Sequence, residues 1–144
     1  MPGIEREIET HTPLERVWSF LTDFTSTERW DPPTQSTELI SGDGGVGSVY
    51  RNVSKILGHE TEIQYTVTEV RPQSRFRLRG DTDSMTMVDT IDFAPLDDGG
   101  TKVTYSMEVN AEKAAKLAEP LMPIGLKKLG DDAAAKMRSV LDDL

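Results

Sequence analysis

The chain has 144 residues, of which 16 are basic and 25 acidic, giving a formal charge of −9, and it has no cysteine. That length suits one domain with a sizeable core, and the acidic balance opposes binding to a phosphate backbone. The missing thiols exclude disulfides and thiolate chemistry, and no segment approaches the roughly 18 to 20 apolar residues of a membrane span. The N-terminus Met1-Pro2-Gly3-Ile4 carries no apolar targeting core. The expectation is a single domain over residues 1–144, cytoplasmic, with no nucleic-acid partner and no membrane span.

Ile4 to His11 alternates weakly and reads as a strand with one wet face. Thr12, Pro13 and Glu15 then form a helix start, with Thr as N-cap, Pro at the first helical position and Glu closing a capping box. The helix carries Leu14, Val17, Trp18 and Leu21 on one face, and a second short helical segment runs from Phe24 to Trp30 until Asp31-Pro32-Pro33 stops it.

The middle of the chain is a run of strands separated by turn clusters: Ser36 to Ile40, Gly47 to Ile56, His59 to Val70, Arg75 to Gly80, Met85 to Ala94 and Thr101 to Val109. Short sequential connections, of which Asp97-Asp98-Gly99-Gly100 is the plainest hairpin turn, predict an antiparallel meander. Alternation puts Met85, Met87, Asp89, Ile91 and Phe93 on one face, and Val103, Tyr105, Met107 and Val109 on another. Ile63, Tyr65 and Val67 form a third such row, and Phe76 and Leu78 face opposite to Arg75, Arg77 and Arg79. These rows are expected to point inward.

The C-terminal segment repeats apolar residues at helical spacing: Leu126, Leu129, Ala133, Met137, Val140, Leu141 and Leu144. The helix is expected to start near Ala111, with Asn110 as N-cap, and to loosen at Pro120 and Pro123. The looser half, with Leu117, Leu121, Met122 and Ile124, is then an adjustable wall over the open end of the sheet. The fold class is α+β, a seven-stranded curved antiparallel sheet wrapped around a long C-terminal helix, with two short helices after the first strand.

Several local patterns accompany this order: Ile8-Glu9-Thr10-His11-Thr12-Pro13 followed by Val17-Trp18, then Trp30-Asp31-Pro32, Val46-Gly47-Ser48, Val67-Thr68-Glu69 and Gly100-Thr101-Lys102-Val103-Thr104. Together they resemble the small polyketide cyclase/dehydrase-like group of the START-like (SRPBCC) superfamily, over nearly the whole chain. The resemblance implies a helix-grip fold with a cavity between sheet and terminal helix, used across the superfamily for lipids, sterols, hormones and polyketides. Some members cyclise or dehydrate polyketides and many only bind. The resemblance therefore implies the location of a site and no catalytic residue.

Within that site Asp89 is the sharpest feature, a carboxylate in an apolar row that must pair, stay wet or hold its proton. It is a candidate acid/base; a bulge turning it outward, or a structural pairing, is the alternative. Arg51 shares a face with Val49 and Val53 and is either its counter-ion, an anchor for a ligand carboxylate, or a snorkelling surface arginine. His59, beside Gly58, is a second acid/base candidate or a solvated loop residue. Tyr65 and Tyr105 offer hydroxyls to a ligand carbonyl or are satisfied core tyrosines. Trp30, Phe76, Met85, Met87 and Met107 complete the expected wall together with Leu117, Leu121 and Met122, methionines suiting either an adaptable cavity or plain core. No His or carboxylate spacing fits a metal site, and no cofactor is expected.

The leading expectation is binding of a hydrophobic small molecule of lipid, polyketide or isoprenoid type by a monomer or homodimer. A cyclase/dehydratase using Asp89 or His59, and an interaction module without ligand, are the alternatives. A cavity well below about 300 Å³ counts against both ligand readings.

Overall fold

The computed structural model describes residues 3–56, 58–110 and 122–144, with side chains of the last segment from 125 onward. Seven strands, β1 (Gly3–Thr10), β2 (Thr34–Ser41), β3 (Val49–Ile56), β4 (His59–Arg71), β5 (Arg75–Asp81), β6 (Thr86–Pro95) and β7 (Thr101–Asn110), form one antiparallel sheet. Between β1 and β2 lie α1 (Leu14–Leu21), a 3-10 turn (Phe24–Ser26) and α2 (Thr27–Trp30), and the chain closes with α3 (Met122–Asp142).

Strand order is β1-β7-β6-β5-β4-β3-β2, so β1 and β2, successive in sequence, occupy opposite edges. The helical stretch between them carries the chain across, with α1 touching β6, the 3-10 turn touching β2, and α2 touching both β2 and α3. From β2 to β7 every neighbour is a sequential hairpin, as short connections require. Register shifts in β2 and between Val67 and Glu69 in β4 add the local twist that curves a sheet.

The apolar stripe of α3 explains its place. Leu126, Ala133, Met137, Val140 and Leu141 are buried, and the helix lies against β1. Gly130 faces that strand, where a Cβ would sit 3.0 Å from Ile4 Cδ1 and 3.1 Å from Arg6 Cζ. A glycine in a helix interior costs about 1 kcal/mol relative to alanine, and here it permits the close approach. The start of the helix predicted near Ala111, with Pro120, lies outside the described residues; Asn110, the expected N-cap, is the last residue of β7.

The capping box at α1 does not form. Pro13 is the N-cap residue, with no side-chain cap. The Thr12 hydroxyl instead donates to the Leu141 carbonyl at 2.6 Å, and the Thr12 carbonyl accepts from Thr101 Oγ1 at 2.8 Å. A helix C-terminus leaves carbonyls without intrahelical partners, and a buried hydroxyl beside one outcompetes a solvent-exposed local cap. The segment after β1 thereby ties down the end of α3. Thr12→Val is expected to lower stability by about 1 kcal/mol, read as a melting-temperature drop of about 2 to 4 °C.

Candidate functional site

The inner face of the sheet and α3 do not close completely. A cavity of about 60 Å³ remains between them, lined by Phe24, Thr27, Trp30, Asp31 and Pro33 from the crossover, Asn52, Ser54 and Ile56 from β3, and Ile63 and Tyr65 from β4. Met87 and Asp89 from β6, Tyr105 and Met107 from β7, Ile4 from β1, and Leu129 and Ala133 from α3 complete the wall. That volume holds a few water molecules and lies well below the roughly 300 Å³ of ordinary small-molecule pockets, so the cavity in this closed form counts against both ligand readings. Any larger occupant must displace part of the wall.

Strand parity delivers Asp89 to this space. It pairs in register with Leu78 on one side and Met107 on the other, and it is only 3% exposed. The Tyr105 hydroxyl donates to its Oδ2 at 3.0 Å, whereas Oδ1 is buried with no partner among the described residues. Burial is the main cause that raises its pKa to about 7; the Tyr105 hydrogen bond opposes this and the charge of Asp31 adds to it. Burial, with Asp89 next in importance, pushes the Tyr65 and Tyr105 phenols well above 10.

Asp31, which in the sequence marks only a helix stop, is a second carboxylate at this cavity. Pro32 confines its backbone to the extended region (φ −102°, ψ 105°), and Thr34 Oγ1 donates to its Oδ2 at 2.7 Å. Burial raises its pKa to about 6, against the lowering effect of the Thr34 bond. Two acidic groups with raised pKa values therefore border one cavity.

Asn52 and Ser54 were also missed, because Val49 and Val53 made the other face of β3 look like the core face. In the structure Tyr50, Asn52 and Ser54 point inward and Arg51 points out. Register explains it: Ile56 pairs with His59 across the hairpin, Asn52 with Ile63 and Tyr50 with Tyr65, and directly opposite residues share a face. Asn52 Nδ2 donates to Thr34 Oγ1 at 3.1 Å and Thr37 Oγ1 at 2.8 Å, and its Oδ1 accepts from Ser54 Oγ at 2.6 Å.

Of the residues singled out in the sequence, Trp30, Tyr65, Met87, Asp89, Tyr105 and Met107 meet around the cavity. Arg51 does not: its side chain is 49% exposed and pairs with Glu62 at 2.8 Å and Glu38 at 3.5 Å on the outer face. His59 is exposed at the start of β4 and does not line the cavity. Phe76 is fully buried core, its ring tilted against that of Phe24 at 6.4 Å and off the cavity wall. Met85 is half-buried in the turn before β6, where its backbone bonds Thr82. Leu117 and Leu121, and the side chain of Met122, lie outside the described residues.

Gly80 makes the close packing at the β4–β6 side possible. A Cβ there would lie 2.8 Å from both Met87 Cγ and Tyr65 Cε1, in the pair whose Tyr65 hydroxyl reaches Met87 Sδ at 3.4 Å. Gly80→Ala is expected to cost about 1 to 3 kcal/mol by overpacking and to displace both side chains, seen as shifted Met87 methyl and Tyr65 ring resonances.

A curved antiparallel sheet gripping a C-terminal helix, with a polar-tipped apolar cavity between them, defines a START-type helix-grip domain. The chain belongs to the family described as polyketide cyclase / dehydrase and lipid transport, whose model matches residues 1–142. Its fold is similar to that of a START superfamily protein from Mycobacterium smegmatis (TM-score 0.83, 14% identity, 98% of this chain and 97% of that one). It is also similar to a conserved protein from Geobacillus kaustophilus (0.75, 22%, 98% and 93%) and to the Zhui aromatase/cyclase from Streptomyces sp. R1128 (0.68, 18%, 97% and 87%). At these identities the likeness is one of fold. No curated protein matches this sequence.

Proposed function

We propose that the protein binds a small apolar molecule between sheet and α3, with one polar group of the ligand reaching Asp89. Family and fold support a scaffold for hydrophobic ligands. The observation that carries the reading is Asp89 Oδ1, a buried carboxyl oxygen without a partner among the described residues, at the edge of a mostly apolar space. An unsatisfied buried polar atom costs about 1 to 3 kcal/mol, which a bound ligand would recover. Met87, Met107 and Leu129 supply a wall of flexible side chains able to move aside for an occupant larger than about 60 Å³. Straight-chain alcohols of increasing length should raise the melting temperature and shift the Met87 and Met107 methyl signals, with the Asp89→Leu variant binding at least about tenfold more weakly. Unchanged methyl signals across the series would sink the reading.

A second reading, a cyclase/dehydratase, draws on the same carboxyl. A group of pKa about 7 can take a proton from carbon next to a carbonyl and return it to a leaving hydroxyl near neutral pH. It requires water loss from a β-hydroxy ketone that Asp89→Asn abolishes while binding persists.

A further inference from the structure

Apart from the proton that the Asp89 carboxyl itself carries below about pH 7, each O–H and N–H donor that the cavity wall offers from its side chains already has an acceptor. The Tyr105 hydroxyl is held by Asp89, the Ser54 hydroxyl by Asn52, and both hydrogens of the Asn52 amide by Thr34 and Thr37. The Trp30 ring N–H goes to Ser26, the Tyr65 hydroxyl to Met87 sulfur, and the Thr27 hydroxyl lies within reach of the Phe24 carbonyl and Thr37. What is left over is acceptor capacity: the bare Oδ1 of Asp89, 97% buried by its 3% exposure, and the remaining lone pairs of Asp31 and Ser54. Among the described residues, the wall contains two carboxyls and no lysine, arginine or histidine.

We infer that the ligand's polar group is an ammonium: the cavity takes a primary amine with an apolar tail, its nitrogen donating to Asp89 Oδ1. The inference rests on the binding reading above and names its ligand class. An ammonium has three donors and no acceptor, the complement of a site whose free groups are all acceptors once Asp89 is ionised. One cation also offsets the charge of Asp31, which makes Asp89 harder to ionise. Aromatic walls from Phe24, Trp30, Tyr65 and Tyr105 accept a cation and disfavour an anion. A cavity of about 60 Å³ admits a nitrogen head while the tail displaces Met87 and Met107.

Binding has a proton consequence. Asp89 faces Tyr105 and Met107 on β7, Leu78 on β5, Asp31 at the end of α2, and Leu129 and Ala133 on α3, and the charged groups in that set are the two carboxyls alone. An alkylammonium is already protonated in water. On entering it pairs with the Asp89 carboxylate, so below about pH 7 the carboxyl must release its proton to solvent as the ligand binds. Affinity for the amine therefore rises with pH by up to about tenfold per unit and levels off above about pH 7, whereas a neutral ligand gains nothing.

The test is isothermal titration of the full chain with n-butylamine, 1-butanol and butyrate from about pH 5 to about pH 8, in buffers of different ionisation enthalpy. The amine should bind at least about tenfold more tightly than the alcohol at the upper end, with close to one proton released per molecule at the lower end and butyrate weakest. Asp89→Asn should weaken the amine at least about tenfold more than it weakens the alcohol and abolish the proton release. Equal affinity for amine and alcohol with no proton release would overturn the ammonium assignment and leave the cavity reading standing. Failure of all three to bind would overturn both.

Discussion

Replacing Asp89 by Asn should make the protein more stable at pH 8 and not at pH 4. In the folded chain the Asp89 carboxyl titrates near 7, against 3.8 without the fold, so between these values the unfolded chain gives up a proton that the folded chain keeps. Below about pH 4 both states are protonated and Asp89 contributes nothing. As pH rises, stability falls, and above about pH 7 a constant penalty remains, on the order of 4 kcal/mol from the difference between 3.8 and about 7. Asn keeps an acceptor for the Tyr105 hydroxyl but turns an amide N–H₂ toward the cavity, which costs about 1 to 3 kcal/mol. The variant should therefore gain about 1 to 3 kcal/mol at pH 8, a melting-temperature rise of about 2 to 4 °C per kcal/mol, and lose the advantage toward pH 4. Asp31, which titrates near 6 in the fold, shifts the parent's profile in the same direction and should leave a residual slope in the variant. Parallel pH profiles for parent and Asp89→Asn would show that Asp89 does not hold its proton in the folded protein.

Asp89 was legible in the sequence because β6 has no bulge between Met87 and Phe93, so counting by two along the strand remains valid in space. The same counting misled in β3, where hydrophobicity chose Val49 and Val53 over Tyr50 and Asn52. The hairpin held the correction: Ile56 pairs with His59, Gly58 has φ +83°, and this register sets Asn52 opposite Ile63. Register across a tight turn is a stronger signal than the polarity of one strand, since an inward Asn is tolerated once Thr34, Thr37 and Ser54 satisfy it. Asp31 was not legible at all. Its backbone follows from Pro32, but its burial depends on α3 closing over α2, a contact between segments separated by most of the chain. Thr12 shows the same limit, with a local capping pattern overridden by the carbonyl of Leu141.

Trp30→Ala should be the costliest single truncation at the site. The side chain is 1% exposed, its ring meets Tyr105 edge-on at 5.4 Å, and its N–H donates to Ser26 Oγ at 3.2 Å. Removal takes away the contact of α2 with the cavity wall and leaves a void continuous with the existing space, for a loss of about 3 to 5 kcal/mol. A drop in melting temperature of roughly 6 to 20 °C follows. Indole added to the variant should restore part of it, because the void keeps the shape of the missing ring, whereas the parent, with about 60 Å³ free, should respond far less. A loss under about 1 kcal/mol would mean that α2 closes over the gap. An equal response to indole in both proteins would mean that the parent's wall already opens to an aromatic ligand, and Trp30 would then be a movable gate of the cavity instead of its fixed floor.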